Sequence, residues 1–521
     1  MDTSRLPIPD GHHLITEGSA SVIASDDVFY NPVQVFNRDI SLLAIHTYNT
    51  IRLASWKADV AARKLRILEG LSATGMRSIR FAKELPGDQV AEILANDLSP
   101  EACRLIEQSC IRNSVESTVK TVCSDANVLM FLSGKSISLS SQPVPFSFSN
   151  FAAVERPSPW DSTFFDVIDL DPFGSAAPFI DSAVSAVRPG GLLCVTSTDQ
   201  AVLVGQYPDK CMIKYNSLPM HTSCCKESSV RSLLSALAFS AAKHDRVVVP
   251  LLSLNVDFYV RVFVRVEKRG NPRSMAGQMI NVAFCGTCHS VYKQPCIEIT
   301  PTRQGKKIQT GHILTGGCCS ICDGRLRMAG PFWGGEMHNE EFVNCLLGLI
   351  NESDFGAIFP FVTSVNKIKG ILTMIKDELN VKSPFYFNLD RMSSILKVSS
   401  PPAVSARSAL INAGFKVSQW HGDRRAFKTN APLEYVWGML VDHAKTIEDK
   451  KPCEKRDVVF SKDLPSEFDF TVKDSAKLSS RATGVSKFPL NPAPFWGPGS
   501  LPSKVGKRTC GSDEEEKKIK C

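Results

Sequence analysis

Residues 166–174 combine an apolar run, typical of a buried strand, with a carboxylate, a proline and an aromatic ring. The carboxylate of Asp171 and a carbonyl fixed by Pro172 can each accept one N–H of an exocyclic amine, while Phe173 can stack on the base that carries it. Such an amine reacts poorly until it is oriented, because its lone pair is delocalised into the base. We therefore predict Asp171, Pro172 and Phe173 as catalytic residues. A plain turn after a strand has the same composition, so the prediction depends on the rest of the chain.

Three earlier strand ends carry residues that suit a nucleoside cofactor. Residues 69–75 form a Gly-rich turn around Gly70 that opens a helix, where free backbone N–H groups can meet phosphate or carboxylate. The turn lacks the full dinucleotide glycine pattern, which counts against NAD. Asp97 ends the next strand, where a carboxylate binds ribose hydroxyls. Asp125, followed by Ala126, ends the third strand and can accept from an adenine amine. A single aspartate of this kind is usually a helix cap, but three strands that end in polar residues or a Gly-rich turn at one sheet edge predict a nucleoside site.

Strands and helices must alternate to bring these residues together. Between residues 65 and 266 apolar strand patterns alternate with helical ones, which predicts an open, mostly parallel α/β sheet covered on both faces. Residues 257–266 alternate almost strictly, which predicts a half-buried strand at or near the sheet edge. Residues 131–163 are rich in Ser and Pro, which predicts a loop inserted before the catalytic strand.

The chain changes character after about residue 270. Helical patterns at 340–350 and 367–379 are followed by a helix–turn–helix–strand pattern at 389–421 that is compatible with a winged-helix-like unit. The region from 447 to 521 is rich in Lys, Ser, Pro and Gly, and we predict it to be a disordered polar tail.

Two Cys-x-x-Cys pairs predict a structural metal site. Cys285 and Cys288 form the first pair, and Cys319 and Cys322 the second, which is zinc-ribbon spacing within residues 281–330. Cys318 could replace Cys319 as a ligand, and a set of buried free thiols is the alternative interpretation. Four ligands leave no open coordination position, so the predicted zinc is structural rather than catalytic.

Composition limits the class of protein. The 521 residues are 43% hydrophobic and 22% charged, with a net charge of +7, which indicates several globular domains and a mild preference for a polyanionic partner. Seventeen scattered cysteines and the absence of a secretory or transit segment predict an intracellular, reducing environment. The nucleus is the expected compartment, with the cytoplasm or mitochondrion as alternatives. No apolar run reaches membrane-spanning length, and no obligate protein partner is evident.

A set of motifs, in order along the chain between residue 15 and about residue 445, resembles one enzyme family. The motifs are Phe29-Tyr30-Asn31-Pro32, Asn37-Arg38-Asp39, Glu69-Gly70-Leu71-Ser72-Ala73-Thr74-Gly75-Met76-Arg77, Asp169-Leu170-Asp171-Pro172-Phe173-Gly174-Ser175, Leu251-Leu252-Ser253-Leu254, Phe258-Tyr259-Val260-Arg261 and Lys428-Thr429-Asn430-Ala431-Pro432. The family is that of the tRNA guanine-26 N2-dimethyltransferases. The resemblance implies S-adenosylmethionine as methyl donor and two transfers to the N2 amine of one guanine in tRNA, through the monomethyl product.

The resemblance also implies roles for individual residues. It places Arg38 and Arg77 at the carboxylate of the donor, where a guanidinium suits an anion. The other donor residues are Gly70, Asp97, Asp125 and Ala126. Asp171 would accept from the guanine amine and Phe173 would stack on the base. Phe29 would cover the opposite face of the ring.

The predicted architecture has three parts. Residues 1–270 form a class I, Rossmann-like S-adenosylmethionine methyltransferase domain. Residues 271–446 form a smaller α+β tRNA-binding domain with the zinc-ribbon-like segment, and 447–521 form the tail. Arg424, Arg425 and Lys428, in a basic and aromatic stretch, are predicted to contact tRNA phosphates. Residues 303–307 are a second candidate loop, and a solvated charged face is the alternative for both.

Two other functions remain compatible with these residues. An Asp-Pro-aromatic turn serves any planar exocyclic amine, so an adenine-N6 methyltransferase acting on RNA is one alternative. A catalytically silent, zinc-containing RNA-binding protein is the other.

Overall fold

The computed structural model describes most of the chain: residues 8–26, 30–55, 63–87, 89–134, 164–268, 273–303, 305–312, 316–447, 452–477 and 484–488. Phe29 and most of the predicted insertion, residues 135–163, lie outside the described residues. Residues 131–134, which we assigned to the insertion, instead complete a helix.

A hairpin and a long helix precede the central sheet. Strands β1 (His12–Glu17) and β2 (Ala20–Ser25) pair antiparallel. Asn31 caps a short 3-10 turn, Pro32–Gln34, because its side chain accepts from the Val33 N–H. The turn leads directly into α1 (Val35–Ser55).

Within the described residues, the central sheet has seven strands in the order β5-β4-β3-β6-β7-β9-β8. They are β3 (Leu65–Glu69), β4 (Val90–Asp97), β5 (Val119–Cys123), β6 (Phe165–Leu170), β7 (Val187–Ser197), β8 (Val247–Val256) and β9 (Tyr259–Glu267). Strands β3 to β7 are mutually parallel, and β9 runs antiparallel to both of its neighbours. The helices among them are α2 (Met76–Glu84), α3 (Pro100–Arg112), α4 (Ala126–Gly134), α5 (Ile180–Ala186), α6 (Gln200–Leu203), α7 (Pro208–Tyr215) and α8 (Cys225–Lys243). The predicted open α/β sheet is confirmed.

Strand β9 departs from its prediction. Its residues are buried on both faces, because β8 forms the sheet edge and helices cover both sides. Tyr259 and Phe263 lie in one core, while Val260 and Val262 lie in the other. Arg261 supplies the polar half of the alternation, yet it is fully buried. The predicted position near the sheet edge is confirmed, since β9 lies next to the edge strand β8. The predicted half-burial is wrong at Arg261, which is buried because it pairs with Asp169.

The remaining elements form three small sheets and a set of helices. The strands are β10 (Met279–Cys285), β11 (Val291–Pro295), β12 (Ile297–Thr302), β13 (Gly305–Thr310), β14 (Leu326–Trp333), β15 (Phe387–Asn388), β16 (Val417–Gln419) and β17 (Ala426–Thr429). The helices are α9 (Arg273–Ala276), α10 (Glu340–Asn351), α11 (Phe355–Ile358), α12 (Val365–Glu378), α13 (Leu389–Leu396), α14 (Ala403–Asn412), α15 (Leu433–Lys445) and α16 (Glu454–Phe460). The sheet orders are β11-β10-β14, β12-β13 and β15-β17-β16. Helices α13 and α14 with the last sheet match the predicted winged-helix-like pattern.

One hydrophobic core crosses the predicted boundary at residue 270. Phe342 on α10 and Ile371 on α12 belong to the same core as Ile40 on α1 and Ile67 on β3. Helices α10 and α12 therefore cover one face of the central sheet, although they follow the Cys-rich segment in sequence. The apolar periodicity of the sequence predicts each helix, but it does not show which face of the central sheet that helix covers.

The predicted disordered tail is partly ordered. Phe468 and Phe470 pack against the core that contains α15, and the Phe468 N–H donates to Asp442 Oδ2 at 2.9 Å. A Cβ on Gly438 would lie 2.2 Å from the carbonyl oxygen of Pro465, so the chain crosses α15 closely. The prediction of disorder is therefore wrong for residues 452–477. The region is polar in average composition, but it contains apolar side chains, such as Phe468 and Phe470, that pack against the core. Among the described residues, no helix is both long enough and apolar enough to cross a membrane.

Candidate active site

The strand ends predicted to hold the site lie along one edge. Glu69 on β3 is in register with Asp169 on β6, and Asp97 on β4 with Cys123 on β5. Since these strands are parallel, Gly70, Asp97 and the residues after Cys123 and Leu170 all reach the carboxyl edge, where ligands bind in open α/β sheets.

The Gly-rich loop needs glycine at two positions. The Gly70 N–H donates to the Asp169 carbonyl at 3.0 Å, and a Cβ at Gly70 would lie 2.9 Å from the Leu170 side chain. Gly75 adopts a φ of +74° immediately before α2, a conformation that disfavours other residues. The loop therefore passes close over the end of β6 and presents the start of α2 at the edge.

Asp97 fixes this loop. Its Oδ2 accepts from the Ala73 N–H at 2.9 Å and its Oδ1 from the Ser99 N–H at 3.0 Å. The side chain is only half-buried, so it remains next to solvent at the sheet edge. Asp97 thus joins the loop after β3 to the loop after β4.

Asp125 is an exposed helix cap. Its Oδ1 accepts from the N–H groups of Asn127 at 2.8 Å and Val128 at 3.1 Å, while Ala126 is buried at the start of α4. Both cap hydrogen bonds reach Asp125 Oδ1. The cap therefore leaves Asp125 Oδ2 for the predicted hydrogen bond from the adenine amine.

The predicted catalytic loop, residues 171–175, is fixed by hydrogen bonds to Thr198, the residue after β7. The Gly174 N–H donates to Thr198 Oγ1 at 2.8 Å, and the Thr198 N–H donates to the Gly174 carbonyl at 2.8 Å. Pro172 is buried, whereas the Phe173 side chain is 61% exposed. A fixed loop thus displays an aromatic ring at the edge where Asp171 lies.

A buried charge network underlies Asp171. The Arg77 guanidinium is paired with Asp171. It also lies 3.5 Å from Asp169 Oδ2 and 3.7 Å from Glu69 Oε1. Arg261 in turn donates to both oxygens of Asp169, at 3.0 and 2.6 Å. The charges alternate along the series Arg261, Asp169, Arg77 and Asp171.

Burial and neighbouring charges set the pKa values of this network. Burial raises the pKa of Glu69 to about 7, against the opposing effects of Arg77 and Ser78. Burial also acts to raise the pKa of Asp169, but Arg261 and Arg77 outweigh it and lower that pKa. Asp169 is therefore ionised and holds Arg77 against Asp171.

The two predicted donor arginines have different surroundings. Arg77 is buried below the catalytic loop, where it binds three carboxylates. Arg38 donates from Nε to Glu17 Oε1 at 2.6 Å, and Arg80 Nη1 donates to the same oxygen at 2.6 Å. Burial acts to raise the pKa of Glu17, but Arg38, Tyr30 and Arg80 outweigh it and lower that pKa to about 2. The donor role of both arginines stays a prediction.

Sequence reasoning assigned no role to Glu17, Glu69, Asp169 or Arg261. The usable signal was an arginine inside an apolar strand, at Arg261, which demands a buried carboxylate. Its partner Asp169 lies two residues before Asp171 in the quoted motif. Glu17 gave no such signal, because its cationic partners are distant in sequence.

The four predicted metal ligands form one cluster. Cys285 Sγ lies 3.5 Å from Cys322 Sγ, Cys288 Sγ lies 3.4 Å from Cys319 Sγ, and all four sulfurs are within 4.8 Å of one another. A zinc ion with Zn–S bonds of about 2.3 Å fits such a group. A Cβ at Gly324 would lie 3.0 Å from Cys285 Sγ, so the knuckle requires glycine there.

The structure distinguishes Cys319 from Cys318. Cys319 is buried in the cluster, and Tyr292 Oη lies 3.2 Å from its sulfur. Cys318 is exposed and its backbone pairs with Arg325. Cys319 is therefore the residue positioned as the fourth ligand.

The predicted tRNA contacts separate into two kinds. Arg424 and Arg425 are exposed, with Arg424 over the Phe488 ring and Arg425 2.9 Å from Asp390. Lys428 is 3% exposed and donates to Glu227 Oε1 on α8 at 2.9 Å. The prediction that Lys428 contacts phosphate is wrong, because β17 is buried on both faces and the lysine points inward.

A second polar cluster, His338, Glu378 and His421, is buried beside strand β8. The Ser253 N–H donates to His338 Nδ1 at 3.3 Å and the Asn255 N–H donates to His421 Nε2 at 3.2 Å. One ring nitrogen of each imidazole therefore accepts a backbone N–H. The other ring nitrogen carries the proton, so it has no lone pair with which to bind a metal. The cluster thus provides acceptors for two backbone N–H groups of the edge strand β8.

The fold is that of a class I methyltransferase. The Trm1 protein of Pyrococcus horikoshii, solved with S-adenosyl-L-methionine, is similar to this chain with a TM-score of 0.60 and 25% identity, covering 81% of this chain and 97% of that one. The strand order and the acidic residues at the carboxyl edge fit that Rossmann-like class.

Sequence comparison gives the family. The model of the N2,N2-dimethylguanosine tRNA methyltransferases matches residues 11–139 and 153–441. A tRNA (guanine(26)-N(2))-dimethyltransferase of Schizosaccharomyces pombe is 35% identical over 95% of this chain and 93% of its own length. The enzyme of that name from Drosophila melanogaster is 33% identical over 94% of this chain and 86% of its own. The chain belongs to the N2,N2-dimethylguanosine tRNA methyltransferase family.

Proposed function

We propose that the protein transfers methyl groups from S-adenosylmethionine to the N2 amine of guanine 26 in tRNA, giving N2,N2-dimethylguanosine through the monomethyl product. The observation that carries the proposal is the Asp171-Pro172-Phe173 loop, fixed at the carboxyl edge beside the Gly-rich loop and Asp97. Family membership adds the substrate and the position of the base.

Each catalytic residue has a defined task. S-adenosylmethionine supplies an electrophilic methyl group when it is bound. Asp171, paired with Arg77, accepts an N–H of the guanine amine and orients its lone pair toward that methyl. Pro172 is proposed to fix a backbone carbonyl that accepts the other N–H of the amine. Phe173 stacks on one face of the base, and Phe29 is proposed for the other.

The donor binds along the loops after β3, β4 and β5. Asp97 accepts from the ribose hydroxyls, while Asp125 and the Ala126 N–H meet the adenine. Arg38 and Arg77 are proposed for the donor carboxylate, which for Arg77 requires sharing its donors with Asp171.

Residues outside the catalytic loop are proposed to hold the body of the tRNA. Arg424 and Arg425 are proposed to contact tRNA phosphates, since both guanidinium groups reach solvent. The proposed zinc site, Cys285, Cys288, Cys319 and Cys322, scaffolds this region, because Ile321 and the cysteines pack in the same core as Trp437 on α15. We place the protein in a reducing intracellular compartment, the nucleus first, which the free thiols of the described cysteines support.

The test is to incubate tRNA with the protein and methyl-labelled donor, digest the RNA and identify the labelled nucleoside. We expect N2-methylguanosine followed by N2,N2-dimethylguanosine. Labelled N6-methyladenosine would instead support the adenine enzyme, and unlabelled RNA would support the catalytically silent RNA-binding protein.

A further inference from the structure

Helix α7 lies beside the catalytic loop but is poorly buried. It follows the end of β7, and only Cys211 and Tyr215 point into the protein. The Tyr215 hydroxyl lies 2.7 Å from Ser175 Oγ, two residues beyond Phe173, and donates to Asp199 Oδ1 at 2.7 Å. These bonds fix the C-terminal end of α7 to the loop that carries Phe173.

The exposed face of α7 is apolar and basic. Tyr207, the residue before α7, and Lys210, Ile213 and Lys214 on α7 are all exposed, and we call this group the rim stripe. The Ile213 side chain is 82% exposed and that of Tyr207 45%. The Lys210 ammonium lies 4.5 Å from the centre of the Tyr207 ring. Tyr207, Met212, at 46% exposed, and Ile213 form a group of exposed apolar side chains on and next to one short helix, which indicates a surface that binds a partner.

The chemistry of the rim stripe fits an RNA strand. A guanine inside a folded tRNA must leave its stack before its amine can reach Asp171, which costs a few kcal/mol. Nucleic-acid-binding proteins offset such a cost by inserting an apolar side chain between bases, with cations on the flanking phosphates. An exposed isoleucine with Lys210 and Lys214 on the same helix, which is tied to the catalytic loop, provides both contacts. Lys214 Nζ also lies 3.3 Å from Asp199 Oδ2, so it shares its charge between that carboxylate and a phosphate.

We infer that the rim stripe contacts the tRNA strand next to the target guanine, with Ile213 and Tyr207 filling the gap that the extruded base leaves. Lys210 and Lys214 face the adjoining phosphates. This inference rests on the proposed function and adds to it the element that opens the RNA.

The experiment uses tRNA with 2-aminopurine in place of guanine 26, since this base keeps the 2-amine and becomes brighter when it leaves the stack. Wild-type protein should raise the emission. The Tyr207→Ala/Ile213→Ala variant should leave the emission near that of free tRNA, and its single-turnover methylation rate at saturating unmodified tRNA should fall about ten-fold or more. Donor affinity by calorimetry should not change, because neither residue is among the donor residues.

Ile111→Ala is the matched control, because Ile111 is an apolar side chain, 39% exposed, near the C-terminal end of α3, and it belongs neither to the donor residues nor to the predicted tRNA-binding domain. It should behave as wild type. Wild-type emission and rate in the double variant would overturn the inference, and so would a weaker tRNA affinity with unchanged emission, which would make the stripe a backbone contact only. A wild-type protein that methylates no guanine in any tRNA would overturn the proposed function and this inference together.

Discussion

Asp171 depends on Arg77, because the guanidinium that faces its carboxylate is itself held by Asp169 and Glu69. The pairing holds the Asp171 carboxylate in one orientation. It is therefore suited to accept an N–H and orient the amine.

Replacing Asp171 by alanine should stop methyl transfer. We expect the single-turnover rate to fall by about 100-fold or more, since an oriented acceptor at the reacting group is removed. Arg77 keeps Asp169 and Glu69 as partners, so the variant should fold. A variant that transferred methyl groups at the wild-type rate would remove Asp171 from the mechanism.

Asp97→Ala is the matched comparison, because it should affect donor binding first. The variant loses the acceptor for the ribose and also the bond to the Ala73 N–H that fixes the Gly-rich loop. The donor dissociation constant measured by calorimetry should rise about ten-fold or more. Unchanged donor affinity would place the ribose elsewhere.

At the scale of elements, Cys319→Ser should release the proposed zinc and Cys318→Ser should not. Cys319 is buried with the other three sulfurs, whereas Cys318 is exposed. Elemental analysis of protein purified without chelator should give about one zinc per chain for the wild type and for Cys318→Ser. Retention of zinc by Cys319→Ser, or no zinc in the wild type, would contradict this assignment.

The parallel strands were predictable because each is a short segment rich in apolar residues, and the residues after several of them are polar and lie at one edge. The buried faces of β9 and β17 were not, since Arg261 and Lys428 look like solvent-facing residues in the sequence. Their partners, Asp169 and Glu227, are distant in sequence and nothing in the local pattern pairs them. The site residues followed from strand-end chemistry and resemblance, while the network below Asp171 required the three-dimensional structure.

At the scale of the whole molecule, the buried group of Glu227, Arg231 and Lys428 joins α8 to β17. Glu227 Oε1 accepts from Arg231, from Lys428 and from the Phe385 N–H. Burial acts to raise the pKa of Glu227, but Lys428 and Arg231 outweigh it and lower that pKa to about 2 from an ordinary value of 4.5. Glu227 therefore contributes stability above pH 4.5 that is lost as the pH falls toward 2.

Lys428→Ala should lower the free energy of unfolding at pH 7 by about 3 to 5 kcal/mol, because it leaves part of a buried charge unpaired. Arg424→Ala, at an exposed position, should change it by no more than about 0.5 kcal/mol. The difference between wild type and Lys428→Ala in denaturant titrations should shrink between pH 4.5 and 2. Equal stability of the two variants at pH 7 would contradict the buried pairing.

The exposed pair Arg424 and Arg425 should act on tRNA rather than on stability. Replacing both by alanine should weaken tRNA binding and make the plot of log affinity against log salt shallower by roughly two units of slope. Lys428 does not belong in this test because it is buried. Unchanged affinity and slope would mean that this stretch is a solvated face and that the tRNA lies elsewhere.

The central claim, methyl transfer to the 2-amine of guanine 26, is tested most directly with a tRNA that carries inosine at position 26. Inosine lacks only the exocyclic amine, so folding and phosphate contacts of the tRNA are retained. With labelled donor, we expect the guanosine-26 tRNA to accept two methyl groups and the inosine-26 tRNA to accept none. Equal labelling of both tRNAs would place the acceptor on another atom and contradict the role assigned to Asp171, Pro172 and Phe173.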